Sequence, residues 1–262
     1  MTLHLHRTRP IEAALSTVLL LAVTGLIAGS GPAQAAKPAA KSTKPAKAAV
    51  KSAAKPGTKV ASSMVPMGIT LPKPVFAGTP SDAPPGTTVE KPSKKPRPIP
   101  LVPKGTVNLA LNKKVTSSAA PFEGSLDLIT DGNKEAREGT AVELKPRLQW
   151  VQIDLGASSP LSYILIWHYH MQPIVCHDVV VQVSDDRDFI EKVTTLFNND
   201  QDNSAGLGVG KDREYFETNE GKLVDAKGIK ARYVRLYSKG STHTDPLNRY
   251  TEVEVWGQPA KG

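Results

Sequence analysis

Three histidines lie close together in the chain, and histidine is the side chain that most readily binds metals or transfers protons near neutral pH. His168 and His170 are two residues apart, so their side chains would project from the same face of a β-strand. His177 follows after the mostly apolar segment 171–176. Two or three imidazoles in this arrangement could bind a transition metal, and a metal-dependent enzyme is therefore one hypothesis. Histidines packed at a strand end without a ligand are the alternative.

Catalytic motifs beyond these histidines are absent from the sequence. It contains neither a G-x-S-x-G nucleophile motif nor an H-E-x-x-H zinc motif, and no two carboxylates are spaced as a glycosidase requires. The glycine-rich run 206–211 departs from the phosphate-loop pattern, because Ala205 and Asp212 occupy two of its defining positions. The single Cys176 excludes a disulfide framework and any multi-cysteine zinc finger. The residues therefore favour a binding protein over an enzyme.

The elements that would position these residues are β-strands. Five segments are rich in β-branched and aromatic residues and are separated by polar, glycine-containing turns. They are residues 150–155, 161–167, 178–184, 231–237 and 251–256. Segment 161–167 is apolar on both faces, as a central strand would be. The pattern predicts one all-β domain, a β-sandwich, over residues 106–262.

The first 35 residues have the composition of an export signal. Arg7 and Arg9 precede the apolar run 13–29, and a small-residue A-Q-A motif follows. We therefore predict a cleaved signal peptide over residues 1–35 and a secreted or extracytoplasmic protein, with an uncleaved membrane anchor as the alternative. No other apolar run is long enough to cross a bilayer, which predicts no transmembrane span after cleavage.

Most of the positive charge lies between the signal and the predicted sandwich. The net charge is +8, but residues 36–105 carry 13 Lys and Arg against two acids, while residues 106–262 carry 18 against 22. The many prolines and few large apolar residues of 36–105 predict a disordered linker rich in Lys, Pro and Ala. Because the predicted domain is mildly acidic, we expect no nucleic-acid partner. The cations of the linker could instead bind anionic polymers of the cell envelope.

Six segments of the predicted domain carry a family resemblance. In chain order they are 108–116 (NLALNKKVT), 131–133 (DGN), 150–156 (WVQIDLG), 181–186 (VQVSDD), 231–237 (ARYVRLY) and 252–257 (EVEVWG). Together they resemble the discoidin domain, also called the coagulation-factor 5/8 type C domain, whose members include the family-32 carbohydrate-binding modules. The resemblance covers residues 107–258 and implies a galactose-binding-like jelly roll. Since no cysteine pair joins the ends of the domain, the chain is similar to the bacterial secreted form.

The resemblance implies a non-catalytic module that binds carbohydrate through loops at one end of the sandwich. The C–H groups of a pyranose stack on an aromatic ring, while imidazole, amide and guanidinium groups hydrogen-bond its hydroxyls. Residues of these types near the end of segment 161–167 and in loop 241–250 are the predicted ligand-binding residues. They are Trp167, His168, Tyr169, His170, His177, Asn248, Arg249 and Tyr250. For the loop, an arginine paired with surface acids is the alternative.

The same resemblance implies a structural Ca²⁺ ion near the turn at residues 131–133. The positions that match the family's ligands are Leu128, Asp131, Asn133, Ala136, Thr251 and Glu252. Oxygen ligands without a thiol suit this cation. Ala136 stands where the family usually has Thr or Ser, so it could supply a backbone oxygen but no hydroxyl. A plain turn is the alternative, because Asp-Gly and Gly-Asn favour positive φ angles.

Two other functions stay open at this level. The apolar stretch 171–175 could be a loop tip that binds a protein partner or lipid head groups, as in a cell-surface adhesion module. The histidine cluster could hold a catalytic metal. An exported, non-catalytic carbohydrate-binding module is the function that the sequence favours.

Overall fold

The computed structural model describes residues 63–75, 87–91, 93 and 95–260. Its strands are β1 Met64–Pro66, β2 Leu101–Pro103, β3 Val107–Asn108, β4 Val115–Ser117, β5 Val142–Leu144, β6 Gln149–His168, β7 Val180–Ser184, β8 Thr194–Asn198, β9 Lys222–Asp225, β10 Lys230–Ser238 and β11 Asn248–Gly257. One 3₁₀ helix, Leu126–Thr130, lies between β4 and β5. Across the described ranges, no helix is long and apolar enough to cross a bilayer. The predicted signal peptide and the linker up to residue 62 lie outside these ranges.

The 20-residue strand β6 belongs to both sheets of the molecule. Its first part pairs with β4 and β10, and its second part pairs with β9 and β11, always antiparallel. Gly156 lies between the two parts with a φ of 87°, a conformation that glycine adopts more easily than other residues. β7 and β8 extend the first sheet, while β3 and β5 pair with β11 in the second. Side chains of both sheets share one core, which confirms the predicted all-β, jelly-roll sandwich.

The core lies between the sheets and is built by alternate residues of the strands. Ile164 and Ile166 of β6 are fully buried, and so are their register partners Val255 and Val253 of β11. Burial of each such aliphatic side chain contributes about 1.5–3 kcal/mol. The segment predicted as a central strand, 161–167, is indeed this inner part of β6.

The end of the predicted linker is not disordered, contrary to the prediction. β1 pairs with β2, and this N-terminal pair packs on the outer face of the second sheet. The buried residues of that contact are Met67, Val102, Leu165, Trp167 and Trp256. Segment 161–167 is therefore apolar on both faces because one face points into the sandwich and the other meets the N-terminal pair. The prediction failed because lysines and prolines dominate the average composition of 36–105, whereas the short apolar run 64–71 makes the contacts.

Several loops meet at the end of the sandwich where β6 terminates at His168. In the register of the second sheet, Tyr250 of β11 is opposite His168, and Arg249 is opposite Glu143 of β5. The 3₁₀ helix Leu126–Thr130 leads directly into the predicted cation loop. This end therefore carries both the predicted ligand-binding loops and the predicted cation loop.

Candidate functional site

Arg249 is the centre of a polar cluster at this end of the sandwich. Its Nε donates a hydrogen bond to Glu143 Oε1 at 2.6 Å, and its two terminal nitrogens donate to Asp245 at 2.8 Å each. The guanidinium carbon lies 5.4 Å from the centre of the Tyr169 ring. The His243 ring meets the same tyrosine edge-on, with 5.7 Å between ring centres. We call these five residues the surface cluster.

Mutual pairing fixes the charges of the surface cluster. Hydrogen bonds from Arg249 lower the pKa of Asp245 to about 2. Burial opposes the charge of Arg249, but its bonds to Asp245 and Glu143 raise its pKa above the ordinary value of arginine. A guanidinium has five N–H groups, of which three are bonded to carboxylates here, and the others are left for His243 or a ligand. A fixed cation beside an accessible ring could therefore hydrogen-bond a sugar that stacks on Tyr169.

An exposed aromatic residue, Phe122, lies next to the surface cluster. Its backbone N–H donates to the Glu143 carbonyl at 2.7 Å, and 66% of its surface is exposed. An exposed ring beside hydrogen-bonding groups suits sugar stacking. The sequence prediction missed Phe122 and Glu143, because only the tertiary fold brings them beside Arg249, whereas Asp245 lies in the predicted loop and pairs with Arg249 as the stated alternative expected. A phenylalanine in a polar loop was the one sequence signal available.

A groove of about 410 Å³ lies beside His177. His177 Nδ1 is 2.9 Å from Glu214 Oε1, and Thr88 donates its hydroxyl to the other oxygen of this carboxylate at 2.8 Å. Asp202 and Lys239 line the same groove. The structure thus leaves the predicted residue His177 accessible, but it pairs this ring with Glu214 rather than with the other two histidines.

Five of the predicted ligand-binding residues are buried and cannot contact a sugar in this structure, which corrects the prediction. They are Trp167, His168, His170, Asn248 and Tyr250. The prediction assumed outward side chains, but β6 ends at His168 and both faces of its second part are covered. Of the predicted set, Tyr169, His177 and Arg249 are partly accessible.

The buried residues have structural partners instead. Trp167 donates its indole N–H to the Asn219 carbonyl at 2.9 Å. The side chain of Asn248 accepts a hydrogen bond from the Gly240 N–H at 2.7 Å and donates one to the Lys145 carbonyl at 2.8 Å. These bonds join separate loops, so the residues hold the site in shape rather than contact its ligand.

His170 links the predicted cation loop to the end of β6. Its Nε2 hydrogen-bonds to the Lys134 carbonyl at 2.9 Å, and burial lowers its pKa, which keeps the ring neutral at pH 7. The Lys134 side chain pairs with Glu254 of β11. This predicted ligand-binding histidine is therefore part of the support for the cation loop.

The features behind the other two functions are only partly accessible. In the suggested loop tip 171–175, Ile174 and Val175 are buried, whereas Met171 is half-buried and Pro173 is exposed. His168 and His170 are buried, so in the described part of the chain the three histidines do not form one accessible metal site.

One predicted calcium ligand, Glu252, lies beside the turn that carries Asp131 and Asn133. This side chain is fully buried, and its Oε2 accepts a hydrogen bond from the Gly132 N–H at 3.2 Å, whereas its Oε1 has no partner. Asp131 and Asn133 are exposed on the same turn. Asp131 Oδ1 accepts the Asn133 N–H at 2.7 Å, which tightens the turn beside Glu252.

The acid–base behaviour of Glu252 is strongly shifted. Burial raises its pKa to about 9, with further increases from Glu254 and Asp131, while the Gly132 N–H and the Lys134 ammonium oppose the shift. A cation at the unpartnered oxygen would supply the missing partner and favour the charged carboxylate. The orphaned oxygen and the oxygen donors around it therefore fit a hard cation such as Ca²⁺.

The remaining predicted calcium ligands offer backbone oxygens. Leu128 and Ala136 have no polar side chain, and Ala136 is buried. Thr251 donates its hydroxyl to the His168 carbonyl at 3.0 Å, so its own carbonyl is the group available to an ion. Loss of the usual hydroxyl at Ala136 thus leaves three side-chain donors, on Asp131, Asn133 and Glu252.

Comparison with known proteins found similarity in solved structures, whereas no family model and no curated protein matches the chain. The family-32 module of AlyQ, solved with 4,5-unsaturated mannuronic acid, is 19% identical with a TM-score of 0.41 over 54% of this chain and 92% of that one. A Streptococcus pneumoniae fucose-binding module is 20% identical with a TM-score of 0.39 over 57% of this chain and 96% of that one. A family 89 glycoside hydrolase from Clostridium perfringens is 18% identical with a TM-score of 0.43, and the match spans 58% of this chain but 15% of that enzyme. Carbohydrate-binding modules are thus among the solved structures to which the chain is similar.

Proposed function

We propose that the sandwich is a non-catalytic module that binds carbohydrate through the surface cluster. The geometry of Arg249 carries this proposal, because Asp245 and Glu143 hold the guanidinium beside the Tyr169 ring. Three hydrogen bonds already fix the arginine, so it loses little side-chain entropy when its other N–H groups bind sugar hydroxyls. Tyr169 offers a ring on which the C–H groups of a pyranose can stack.

The ligand class that best fits this surface is an oligosaccharide. Phe122 adds an exposed ring on one side of the surface cluster. On the other side, the segment 239–245 borders both the surface cluster and the groove of His177, since Lys239 lines the groove and Asp245 bonds Arg249. A ligand that uses both areas must be longer than one sugar.

The proposal includes a structural Ca²⁺ ion in the cation loop. Its side-chain donors are Asp131, Asn133 and Glu252, and its backbone donors are Leu128, Ala136 and Thr251. When bound, the ion supplies charge compensation for the buried carboxylate of Glu252. The residues of the loop would then be held against β11, next to the surface cluster.

Two further parts of the proposal concern residues before the sandwich. A signal peptide over residues 1–35 would export the protein. The Lys-rich segment 36–62 would bind anionic envelope polymers through contacts that weaken as salt is added.

A glycan array probed with the full chain tests the proposed ligand class. We expect binding to a defined set of oligosaccharides that falls at least about tenfold in Tyr169→Ala and in Arg249→Ala, because each loses a direct sugar contact. Arg213→Ala removes an exposed arginine outside the surface cluster and should bind as the unchanged chain does. An array without any bound glycan, or equal binding by all three variants, would contradict the proposal.

A further inference from the structure

A second cluster of metal-binding groups lies inside the sandwich. It consists of His168, Cys176 and Glu217, each at least nine-tenths buried. One imidazole nitrogen, the cysteine sulfur and one carboxylate oxygen all lie within 4.8 Å of one another. His168 Nδ1 and Glu217 Oε1 are 2.7 Å apart. We call these three residues the interior cluster.

Polar atoms of the interior cluster lack hydrogen-bond partners. They are Nε2 of His168 and Oε2 of Glu217, and the hydroxyl of the neighbouring Tyr215 is unpartnered as well. Tyr215 precedes Glu217 by two residues and is buried, and burial, and then the charge of Glu217, raise its pKa. An unpaired polar group in a protein interior costs about 1–3 kcal/mol, and more when it is charged. The unpartnered atoms of His168 and Glu217 therefore point to a further binding partner for the interior cluster.

The sulfur, nitrogen and oxygen donors of the interior cluster indicate which metal ion would bind there. Zinc binds thiolate sulfur at about 2.3 Å and imidazole nitrogen or carboxylate oxygen at about 2.0–2.2 Å, so small side-chain movements would bring all three donors onto one ion. Calcium and magnesium prefer oxygen ligands alone and would not use Cys176. A thiolate and a carboxylate carry two negative charges together, which a divalent ion balances. The site would then be neutral, as a buried site must be.

We propose that His168, Cys176 and Glu217 bind a zinc ion inside the sandwich. Because the ligands are buried, the site is structural rather than catalytic. Binding displaces the thiol proton of Cys176, which passes to solvent. The ion would tie the end of β6 to the segments 174–177 and 214–217, which support the groove of His177. It is independent of the calcium site, whose donors are all oxygen.

Metal analysis of the full chain, purified without a metal-affinity column, tests the zinc site. We expect about one zinc per chain, and none in Cys176→Ala or Glu217→Gln. His177→Ala removes an accessible imidazole outside the interior cluster and should keep its zinc. Cobalt(II) in place of zinc should give a thiolate-to-cobalt charge-transfer absorption in the unchanged chain, and Cys176→Ala should lack it.

A second measurement decides the question even if the variants do not fold. The metal-free chain, kept in saturating calcium so that the cation loop does not contribute, should gain thermal stability when zinc is added. A chain without stoichiometric zinc, without the cobalt absorption and without a zinc-dependent rise in Tm overturns the proposal. Bound zinc without a thiolate absorption also overturns it, because the ion would then lie elsewhere, as at His177 and Glu214.

Discussion

The surface cluster and the interior cluster both lie where β6 ends and use similar residue types. They differ in how many of their charged and polar groups have a partner. In the surface cluster, Arg249 bonds both Asp245 and Glu143, and each of these groups is at least partly accessible. In the interior cluster, Glu217 has His168 as its partner, and one polar atom of each remains unpaired. The carboxylates near water therefore both have a cationic partner, whereas inside the protein one oxygen of Glu217 and one nitrogen of His168 have none.

Hydration explains what this difference means for each cluster. The side chains of Arg249 and Glu143 are 10% and 19% exposed, so water reaches both partners, and such a pair contributes less to stability than a fully buried one. A buried charge without a full set of partners costs several kcal/mol. A ligand can therefore rearrange the surface cluster at low cost, which suits reversible binding. The interior cluster needs a permanent partner, which suits a structural role.

Removal of the buried carboxylate should test this contrast most strongly. Glu217→Ala takes the partner from His168 and a ligand from the proposed zinc site, and we expect the free energy of unfolding to fall by roughly 3–5 kcal/mol. The matched surface variant Glu143→Ala leaves Arg249 bonded to Asp245 and should lose about 1 kcal/mol or less. Urea denaturation of the full-length variants measures both effects. Equal losses of unfolding free energy would show that an unpaired group in the interior cluster costs no more than one in the surface cluster.

Glu252 is an intermediate case, buried like the interior cluster but beside the exposed cation loop. Its pKa is about 9 in the native chain. In the unfolded chain it has the ordinary glutamate pKa of about 4.3. Between these values the native state holds the extra proton, so stability should fall as pH rises. With calcium chelated, the expected slope is at most about 1.4 kcal/mol per pH unit between about pH 5 and 9.

Saturating calcium should remove the Glu252 slope, because the ion stabilises the charged carboxylate in the native state. Urea denaturation at several pH values, with chelator and with calcium, gives both slopes. Glu252→Gln has no proton to release at this position and isolates its contribution from those of other titrating groups. A slope that is the same with and without calcium would contradict the calcium site.

The strands were predictable because their pattern is local. Alternation of β-branched and aromatic residues marked five segments that fall in four strands, since 150–155 and 161–167 both belong to β6. The two apolar faces of segment 161–167 correctly indicated an inner position. The layer on its second face was not predictable in the same way. Met67 and Val102 lie 35 residues apart in a segment whose average composition is that of a disordered chain, and only their contact with Trp167 shows that they are ordered.

The site was predictable in residue type but not in exposure. Spacing placed His168 and His170 together, yet it gave no information on which face water reaches, and both rings turned out to be buried. Tyr169 and Arg249 remained accessible because they lie outside the covered face. Glu217 is 49 residues beyond His168 and follows no strand pattern, so the interior cluster exists only in the folded chain.

Asp245→Asn should separate binding from stability within the surface cluster. The amide keeps the shape of the side chain but loses the charge that holds Arg249, so we expect glycan affinity to fall about tenfold while stability changes by less than about 1 kcal/mol. The native pKa of about 2 lies below the ordinary aspartate value of about 3.9, so the contribution of this carboxylate is present above about pH 4 and lost as pH falls through about 2. Calorimetric titration with a glycan identified on the array should therefore detect the difference between the two chains down to about pH 3. Equal affinities of the two chains at pH 7 would show that glycan binding does not depend on Asp245 holding Arg249 in place.

Phe122→Ala should have the smallest effect on stability and a selective effect on binding. Because the ring is 66% exposed, its removal should change the free energy of unfolding by no more than about 0.5 kcal/mol. A stacked ring contributes about 0.5–1.5 kcal/mol, which corresponds to a roughly two- to twelvefold loss of affinity for an oligosaccharide. A monosaccharide bound at Tyr169 and Arg249 does not reach this ring, so its affinity should stay the same. Ile190→Ala removes an even more exposed apolar side chain, 81% exposed, outside the surface cluster and should leave both affinities unchanged. If Phe122→Ala weakens monosaccharide and oligosaccharide binding equally, the Phe122 ring contacts the first sugar, and the proposed binding site centred on Tyr169 and Arg249 is wrong.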